Sequence, residues 1–190
     1  MLTVIDADAA LRAAAAGKLT CPDCDGTLRR WSNARPRTVR LLLGRRLALT
    51  PPRLRCRACG RTHVVHAVQI APRHAYGTEV VHAALLAAAA GRGHRAVAAE
   101  LDLPADTVRG WLRTAHAVAE DIRTRSVQVI VALDQDRMPQ AVRPNRLGNA
   151  LDALGTAARL VARRWQLRAP LWQVAHVITR GALLGAPPSG

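Results

Sequence analysis

The stretch LRCRACGRTH, residues 54–63, contains two cysteines three positions apart, followed by a glycine and flanked by arginines. A second pair with the same spacing lies upstream in CPDCDG, residues 21–26. A C-x-x-C turn supplies two thiolates from one tight backbone corner, and two such corners complete the tetrahedral sulfur set of a structural Zn²⁺ site. The chain has no other cysteines, so the spacing predicts a zinc ribbon whose ligands are Cys21, Cys24, Cys56 and Cys59.

A redox role for these cysteines, or four unrelated buried thiols, fits the pattern less well. A redox C-x-x-C is expected at a helix N-terminus in a βαβ setting, which these neighbourhoods lack. Four thiolates also leave no open coordination position, which favours a structural over a catalytic metal. The glycine that follows each pair, Gly26 or Gly60, is expected to adopt a positive φ and reverse the turn. His63 and His66 are expected to be strand or surface residues and not ligands.

The segment between the two pairs is strongly cationic. RTVRLLL, GRR and LALT read as strand, turn and strand, and Pro51 and Pro52 end this hairpin. From Gly26 to Arg61 there are eleven arginines and no acid. A solvated charged face explains any single arginine, whereas the whole set favours a surface that contacts phosphates. The candidates from the hairpin are Arg37, Arg40, Arg45 and Arg46.

The overall charge points the same way. The 190 residues carry 28 basic and 13 acidic side chains, a formal net charge of +15. A compact chain with this charge repels itself unless a polyanion neutralises it, and nucleic acid is a commoner partner than a membrane surface. The N-terminus lacks a positive export signal and no run of 18 apolar residues occurs, so a cytoplasmic, nucleoid-associated location with reduced thiols is expected.

A helix-turn-helix is predicted within HRAVAAELDLPADTVRGWLRTAH, residues 94–116. The motif needs a small residue where the helices cross, which Ala98 provides. It also needs a residue that tolerates left-handed geometry at the turn, and Asp102 occupies that position. Apolar residues at the expected spacing fill the corner and the inner face of the second helix: Val97, Leu101, Leu103, Val108, Trp111 and Leu112. A purely structural helix pair is the alternative.

If the motif binds DNA, the exposed face of the second helix should enter the major groove. Arg109 is the best candidate for a base contact, because a guanidinium can bond bidentately to guanine. Thr107 and Arg113 are expected to contact phosphate, and Asp106 to cap the helix or to accept from a cytosine amine. The full set of candidates is completed by Ala105 and Gly110 on this face and by Arg95 on the preceding helix.

The last third of the chain is expected to be helical. Apolar residues recur at three- and four-residue steps after Gly110 and again from Leu147 to Trp165. They predict either a helical hairpin covering the preceding helices or a dimerisation arm. The fold class is therefore mainly α with a small β zinc ribbon. The predicted organisation is an N-terminal helix (1–19), a zinc ribbon (20–70), a helix-turn-helix domain (78–117), a C-terminal helical region (118–185) and a flexible tail (186–190).

The motifs CPDCDG…RWSNARPRTVRLLL…PRLRCRACGRTH resemble the N-terminal zinc ribbon of bacterial insertion-sequence transposases, in which a helix-turn-helix follows. With AALLAAAAGRGHRAVAAELDLPADTVRGWLR and VITRGALLG, the whole chain is also similar to a family of small uncharacterised proteins of high-GC bacteria. The first resemblance implies binding to terminal DNA repeats. The catalytic carboxylates of those transposases lie on an RNase H-like sheet, whereas the acids here fall on predicted helices or a linker: Glu120, Asp121, Asp134, Asp136 and Asp152.

These observations predict a non-enzymatic, sequence-specific duplex-DNA-binding protein with structural zinc, acting as a transcriptional regulator or as a transposase-related accessory protein. Its expected partners are double-stranded DNA, a second copy of the chain and a mobile-element protein such as a transposase. Two alternatives stay open. One is an RNA-binding or ribosome-associated ribbon module, and the other is a catalytically incomplete transposase fragment that acts with a partner.

Overall fold

The computed structural model describes residues 2–70, 75–134 and 145–184. About half of the chain is helical, and the strands form a small mixed sheet and a separate hairpin. The strands are β1 (Leu2–Val4), β2 (Leu28–Asn33), β3 (Arg37–Arg40), β4 (Arg46–Leu49), β5 (Pro52–Cys56) and β6 (Thr62–Ala67). The helices are α1 (Ala7–Ala15), α2 (Thr78–Ala89), α3 (His94–Glu100), α4 (Ala105–Leu133), α5 (Arg146–Arg164) and α6 (Leu171–Ile178). Within the described ranges, none of these helices has the length and apolarity needed to cross a membrane.

The mixed sheet has the strand order β1-β6-β5-β2. β5 pairs antiparallel with both β2 and β6, and β1 joins the outer edge of β6 in parallel. The register pairs Leu28 with Cys56, which brings the strand after the first cysteine pair beside the strand that enters the second pair. A bulge between Arg30 and Ser32 leaves Trp31 unpaired on the edge strand.

α1 covers the inner face of this sheet. Asp6 caps the helix, since its Oδ1 accepts a hydrogen bond from the Ala9 N–H at 2.9 Å. Ala10 and Ala14 pack on a small core with Leu28 and Leu54. The sequence predicts the helix between residues 1 and 19 but not β1, because three residues before a helix carry too little alternation to indicate a strand.

β3 and β4 form the predicted hairpin, with Val39 opposite Leu47. The first strand ends at Arg40 and not at Leu43, because Leu42–Gly44 form a helical turn, and Arg46 belongs to β4 and not to the turn. The hairpin is attached to the start of α2 by two backbone hydrogen bonds through Arg40: its N–H donates to the Ala75 carbonyl, and its carbonyl accepts from the Gly77 N–H, each at 2.8 Å. A Cβ on Gly77 would lie 2.8 Å from Leu41 Cδ2, so a larger residue here would require the Leu41 side chain to move.

The second and larger core lies between α2 and the helices that follow it. α3 ends in a left-handed turn at Asp102 (φ 51°), as its position in the motif predicts. The Leu103 N–H closes this turn on the Ala98 carbonyl at 2.8 Å, in a Schellman arrangement. Ala98 is buried where α3 and α4 meet.

α4 continues without a break to Leu133, which resolves the choice between one long helix and two. Its buried positions recur every three or four residues: Val108, Trp111, Ala115, Ala119, Ile122, Ser126 and Ile130. Ser126, a weak point in the apolar pattern, donates its hydroxyl to the Ile122 carbonyl at 2.7 Å and is satisfied inside the helix.

α5 packs along α4 within the same chain, and α6 packs on α5. The predicted apolar stripe of α5 is buried from Leu147 to Ala158. Trp165 is an exception, since it is 57% exposed at the end of the helix beside Arg164. The predicted tail, 186–190, and most of the predicted linker, 135–144, lie outside the described residues.

Two neighbouring leucines of α2 test where this core lies. Leu85 is fully buried, whereas Leu86 is 58% exposed on the same helix. Leu85→Ala should lower the free energy of unfolding by about 2–5 kcal/mol, because it leaves a cavity among the helices. Leu86→Ala should lower it by about 1 kcal/mol or less. Urea unfolding of both variants measures the difference, and equal losses would contradict this packing.

Candidate metal centre and cationic surface

The four cysteines gather at one end of the mixed sheet, with all four Sγ atoms within 4.8 Å of one another. The Cys21 and Cys59 sulfurs lie 3.9 Å apart, and the Cys24 and Cys56 sulfurs 3.5 Å apart. No disulfide links them. Cys21 and Cys56 are buried, and Cys24 and Cys59 are exposed. Four soft donors at this spacing could hold one metal ion.

Each cysteine pair lies in a tight turn built by its local sequence. In the first turn, the Cys21 N–H donates to the Gly26 carbonyl at 2.7 Å, and Asp25 adopts the left-handed conformation (φ 56°). In the second turn, the Cys56 N–H donates to the Arg61 carbonyl at 2.9 Å, and Gly60 is left-handed (φ 72°). The expected positive φ therefore occurs at Gly60 but falls on Asp25 in the first turn.

Gly26 is required for a different reason from the predicted one. A Cβ atom at this position would lie 2.7 Å from Ala58 Cβ, 3.0 Å from Cys56 Sγ and 3.4 Å from Cys24 Sγ. Any side chain would therefore push the two turns apart. Gly26 allows the second pair to approach the first.

The thiols of the cluster have pKa values shifted in opposite directions. Backbone hydrogen bonds from Cys59 and Ala58, opposed by burial, lower the pKa of Cys56 to about 7. A backbone hydrogen bond from Arg61 lowers the pKa of Cys59, but interactions with Cys24, burial and the other thiols outweigh it and raise that pKa to about 12. Four adjacent thiolates repel one another, so they can be deprotonated together only around a positive ion.

His63 lies beside the cluster. It is buried on β6, and its Nε2 is 3.4 Å from Cys21 Sγ and 3.8 Å from an oxygen of Asp23. Cys21, Asp23 and His63 thus form a second close group of metal-binding side chains that shares one cysteine with the first. The sequence predicts His63 as a strand residue, and nothing in its spacing indicates that it reaches Cys21.

The predicted cationic residues of the hairpin differ in their surroundings. Arg45 and Arg46 are exposed beside the turn that joins β3 and β4. Arg40 is paired with Asp102. Arg37 is half-buried and turned toward His66, with a guanidinium nitrogen 3.3 Å from the ring. Burial of Arg37 lowers its pKa. Burial of His66, together with the nearby charge of Arg37, lowers the pKa of His66 to about 4.

The first turns of α4 present one polar face to solvent. Arg109 and Arg113 are exposed, and Thr107 and Gly110 are partly exposed. Asp106 is exposed in the first helical turn, where the N-cap position is Pro104 without a side-chain cap, and it lies 4.0 Å from Arg109. The remaining candidates are Ala105, half-buried at the start of α4, and Arg95, exposed on α3.

Sequence reasoning did not single out Trp31. The bulge in β2 leaves its ring 49% exposed, with the guanidinium carbons of Arg55 and Arg29 at 4.7 Å and 5.6 Å from the ring centre. Arg29 and Arg55 are register partners across β2 and β5. A tryptophan among closely spaced arginines on an edge strand was the only signal in the sequence.

The part of the chain that holds the cysteine turns, the hairpin and the start of α4 is also the part with a known counterpart. Residues 21–111 match a domain of unknown function (DUF6431). The match begins at Cys21 and ends at Trp111, and it therefore includes both cysteine pairs and the α3–α4 turn. Comparisons with curated proteins and with solved structures give no match.

The close approach at Gly26 predicts the behaviour of a glycine substitution. Gly26→Ala should weaken metal binding by about ten- to a hundredfold, because overpacking between the turns costs about 1–3 kcal/mol. Competition with a chelator of known affinity measures the change. Gly93→Ala is the control, since a Cβ at Gly93 meets no atom within 4 Å. Unchanged affinity in Gly26→Ala would contradict the proposed packing of the two turns around an ion.

Proposed function

We propose that the chain is a non-catalytic, sequence-specific duplex-DNA-binding protein in which a structural zinc ribbon supports a helix-turn-helix. The observation that carries this proposal is the division of the first turns of α4. Val108 and Trp111 are buried in the helical core, while Arg109 and Arg113 project into solvent. A recognition helix needs this arrangement, because one face must fix the helix while the other reaches base edges.

The sulfur geometry is compatible with zinc, the ion that we assign to this site. A Zn–S bond of about 2.3 Å in a tetrahedral site separates neighbouring sulfurs by about 3.8 Å. The two measured separations of 3.5 Å and 3.9 Å lie on either side of this value. In the proposed site the ion would be held by Cys21, Cys24, Cys56 and Cys59. It would supply structural cross-linking between the turns and no reaction chemistry.

The α3–α4 pair supports the helix-turn-helix assignment. The connection is short, its left-handed residue is Asp102, and Ala98 is buried at the crossing. Gly110 has open space where a side chain would lie, so the exposed face of α4 is flat enough there for close approach of a base edge. Arg109 is the residue that we assign to base contact, with Thr107 and Arg113 on phosphates.

The positive charge outside the α4 face would attract nucleic acid over a long range. The net charge of +15 would draw a polyanion to the protein, and Arg45 and Arg46 are exposed beside the hairpin turn. A regulator and a transposase-related accessory protein would use the same surface. In either role, a dimer of this chain would bind a palindromic site.

Selection of bound duplexes from a randomised library, followed by affinity measurements, tests the proposal. Arg109→Ala should reduce discrimination at one base pair by about 1–3 kcal/mol, because a bidentate guanine contact is lost. Arg163→Ala removes an equal charge from the exposed end of α5 and should leave discrimination unchanged. If Arg109→Ala weakened binding to every DNA sequence equally, Arg109 would contact only phosphate. Failure of the library to yield a preferred site would contradict sequence-specific binding.

The exposed Trp31 favours a second candidate function, binding to RNA. An exposed indole flanked by guanidinium groups can stack an unpaired base, which structured RNA offers in loops and bulges. Duplex DNA keeps its bases stacked and would not use this ring in the same way.

A comparison of a duplex DNA with a structured RNA, at matched moderate salt, separates the two candidates. We expect tighter binding to the selected duplex, and an unchanged duplex affinity in Trp31→Ala. Trp165→Ala is the matched control, because Trp165 is also exposed beside an arginine. Tighter RNA binding that falls by about 1–3 kcal/mol in Trp31→Ala alone would transfer the function to RNA.

A further inference from the structure

The turn between β3 and β4 holds an apolar side chain out in water. Leu43 is 96% exposed, more than any other large hydrophobic residue of the described chain. It also adopts the left-handed conformation (φ 59°), which is unfavourable for a branched side chain and is followed by a second positive φ at Gly44. Folding alone would favour a polar residue or glycine at this position. The exposed leucine therefore suggests a contact made outside the chain.

The residues on either side of Leu43 anchor the turn by packing and by hydrogen bonds. Leu42 packs against the helical core, and its N–H donates to Oε1 of Glu79 at 3.1 Å. The Leu41 N–H donates to the Arg45 carbonyl at 2.7 Å, which closes the turn. These contacts fix the backbone on both sides of the exposed Leu43 side chain.

An ion pair fixes this turn beside the proposed recognition helix. Arg40, at the end of β3, is bonded to Asp102, which lies three residues before the first residue of α4. Both side chains are partly or largely exposed, so the pair contributes little stability and adds to the backbone pairing that attaches the hairpin to the segment before α2. The base of the hairpin tip therefore contacts the turn that precedes α4.

The chemistry around the tip fits the minor groove of DNA. Arg45 and Arg46 follow Leu43 after Gly44 and are exposed, and the hairpin from 37 to 49 contains no acid. Arginines are drawn into narrow minor grooves, and an apolar wedge beside them can partly unstack a base step. A single leucine among arginines offers too little apolar area for a stable protein interface, whereas phosphates complement the surrounding charge.

We propose that the β3–β4 hairpin is a second DNA-contacting element, in which Leu43 wedges into the minor groove while Arg45 and Arg46 bind the flanking phosphates. This inference rests on the proposed duplex-binding function. It adds a second DNA contact to the one proposed for α4, and it implies that bound DNA is kinked toward the major groove.

The test uses the whole 190-residue chain, loaded with zinc, and the duplex obtained by selection, labelled at both ends for energy transfer. Leu43→Ala should bind about tenfold more weakly and should reduce the bend of the bound DNA, because the wedge is lost. Leu86→Ala, at a 58% exposed leucine on α2 outside the hairpin, is the control and should change neither property. The log of the affinity falls linearly with the log of the salt concentration. The double substitution Arg45→Ala/Arg46→Ala should make this negative slope shallower by about 2.

Leu43→Gly provides an independent signature. It should raise the melting temperature, because glycine tolerates the left-handed conformation, while it weakens DNA binding as Leu43→Ala does. Wild-type affinity and bending in both Leu43 variants, with specificity still lost in Arg109→Ala, would overturn the wedge and leave the proposed function standing. Absence of duplex binding by the wild-type protein would overturn both.

Discussion

The gathering of four cysteine sulfurs within 4.8 Å is the constraint on which the N-terminal half of the structure depends. The core beneath the mixed sheet is small and built partly of alanines from α1, so apolar burial there is limited. The two cysteine turns sit at the start and end of the chain segment that contains the cationic hairpin. A divalent ion between them would replace the stability that this core lacks and would allow many like charges to lie close together.

The hairpin connects this half of the chain to the helices. Its backbone pairs with the segment before α2, Leu42 joins the helical core, and Arg40 reaches Asp102 at the turn before α4. Tyr76, beside this junction, meets the edge of Trp111 at 5.2 Å between ring centres. The positions of the exposed arginines and of the α4 face are therefore set by the same contacts. In the proposed complex with DNA, this shared anchoring would let the two elements bind one duplex.

Sequence reasoning anticipated the features that depend on local spacing. Paired cysteines and the three- and four-residue steps along α4 have patterns that metal geometry or helix geometry imposes directly. Other features arise from contacts that no short pattern encodes. The bulge that exposes Trp31 depends on one inserted residue, and Arg40 and Asp102 are 62 positions apart. The requirement for Gly26 follows from the neighbouring turn, so its role could be seen only once both turns were placed together.

The zinc content of the reduced, metal-replete chain tests the central claim most directly. The account predicts one equivalent of zinc per chain, lost on treatment with a strong chelator together with the β-sheet signal but with the helical signal largely kept. A content well below one equivalent, with all four cysteines reduced, would contradict the four-thiolate site. It would also mean that no metal ion links the two cysteine turns that flank the cationic hairpin.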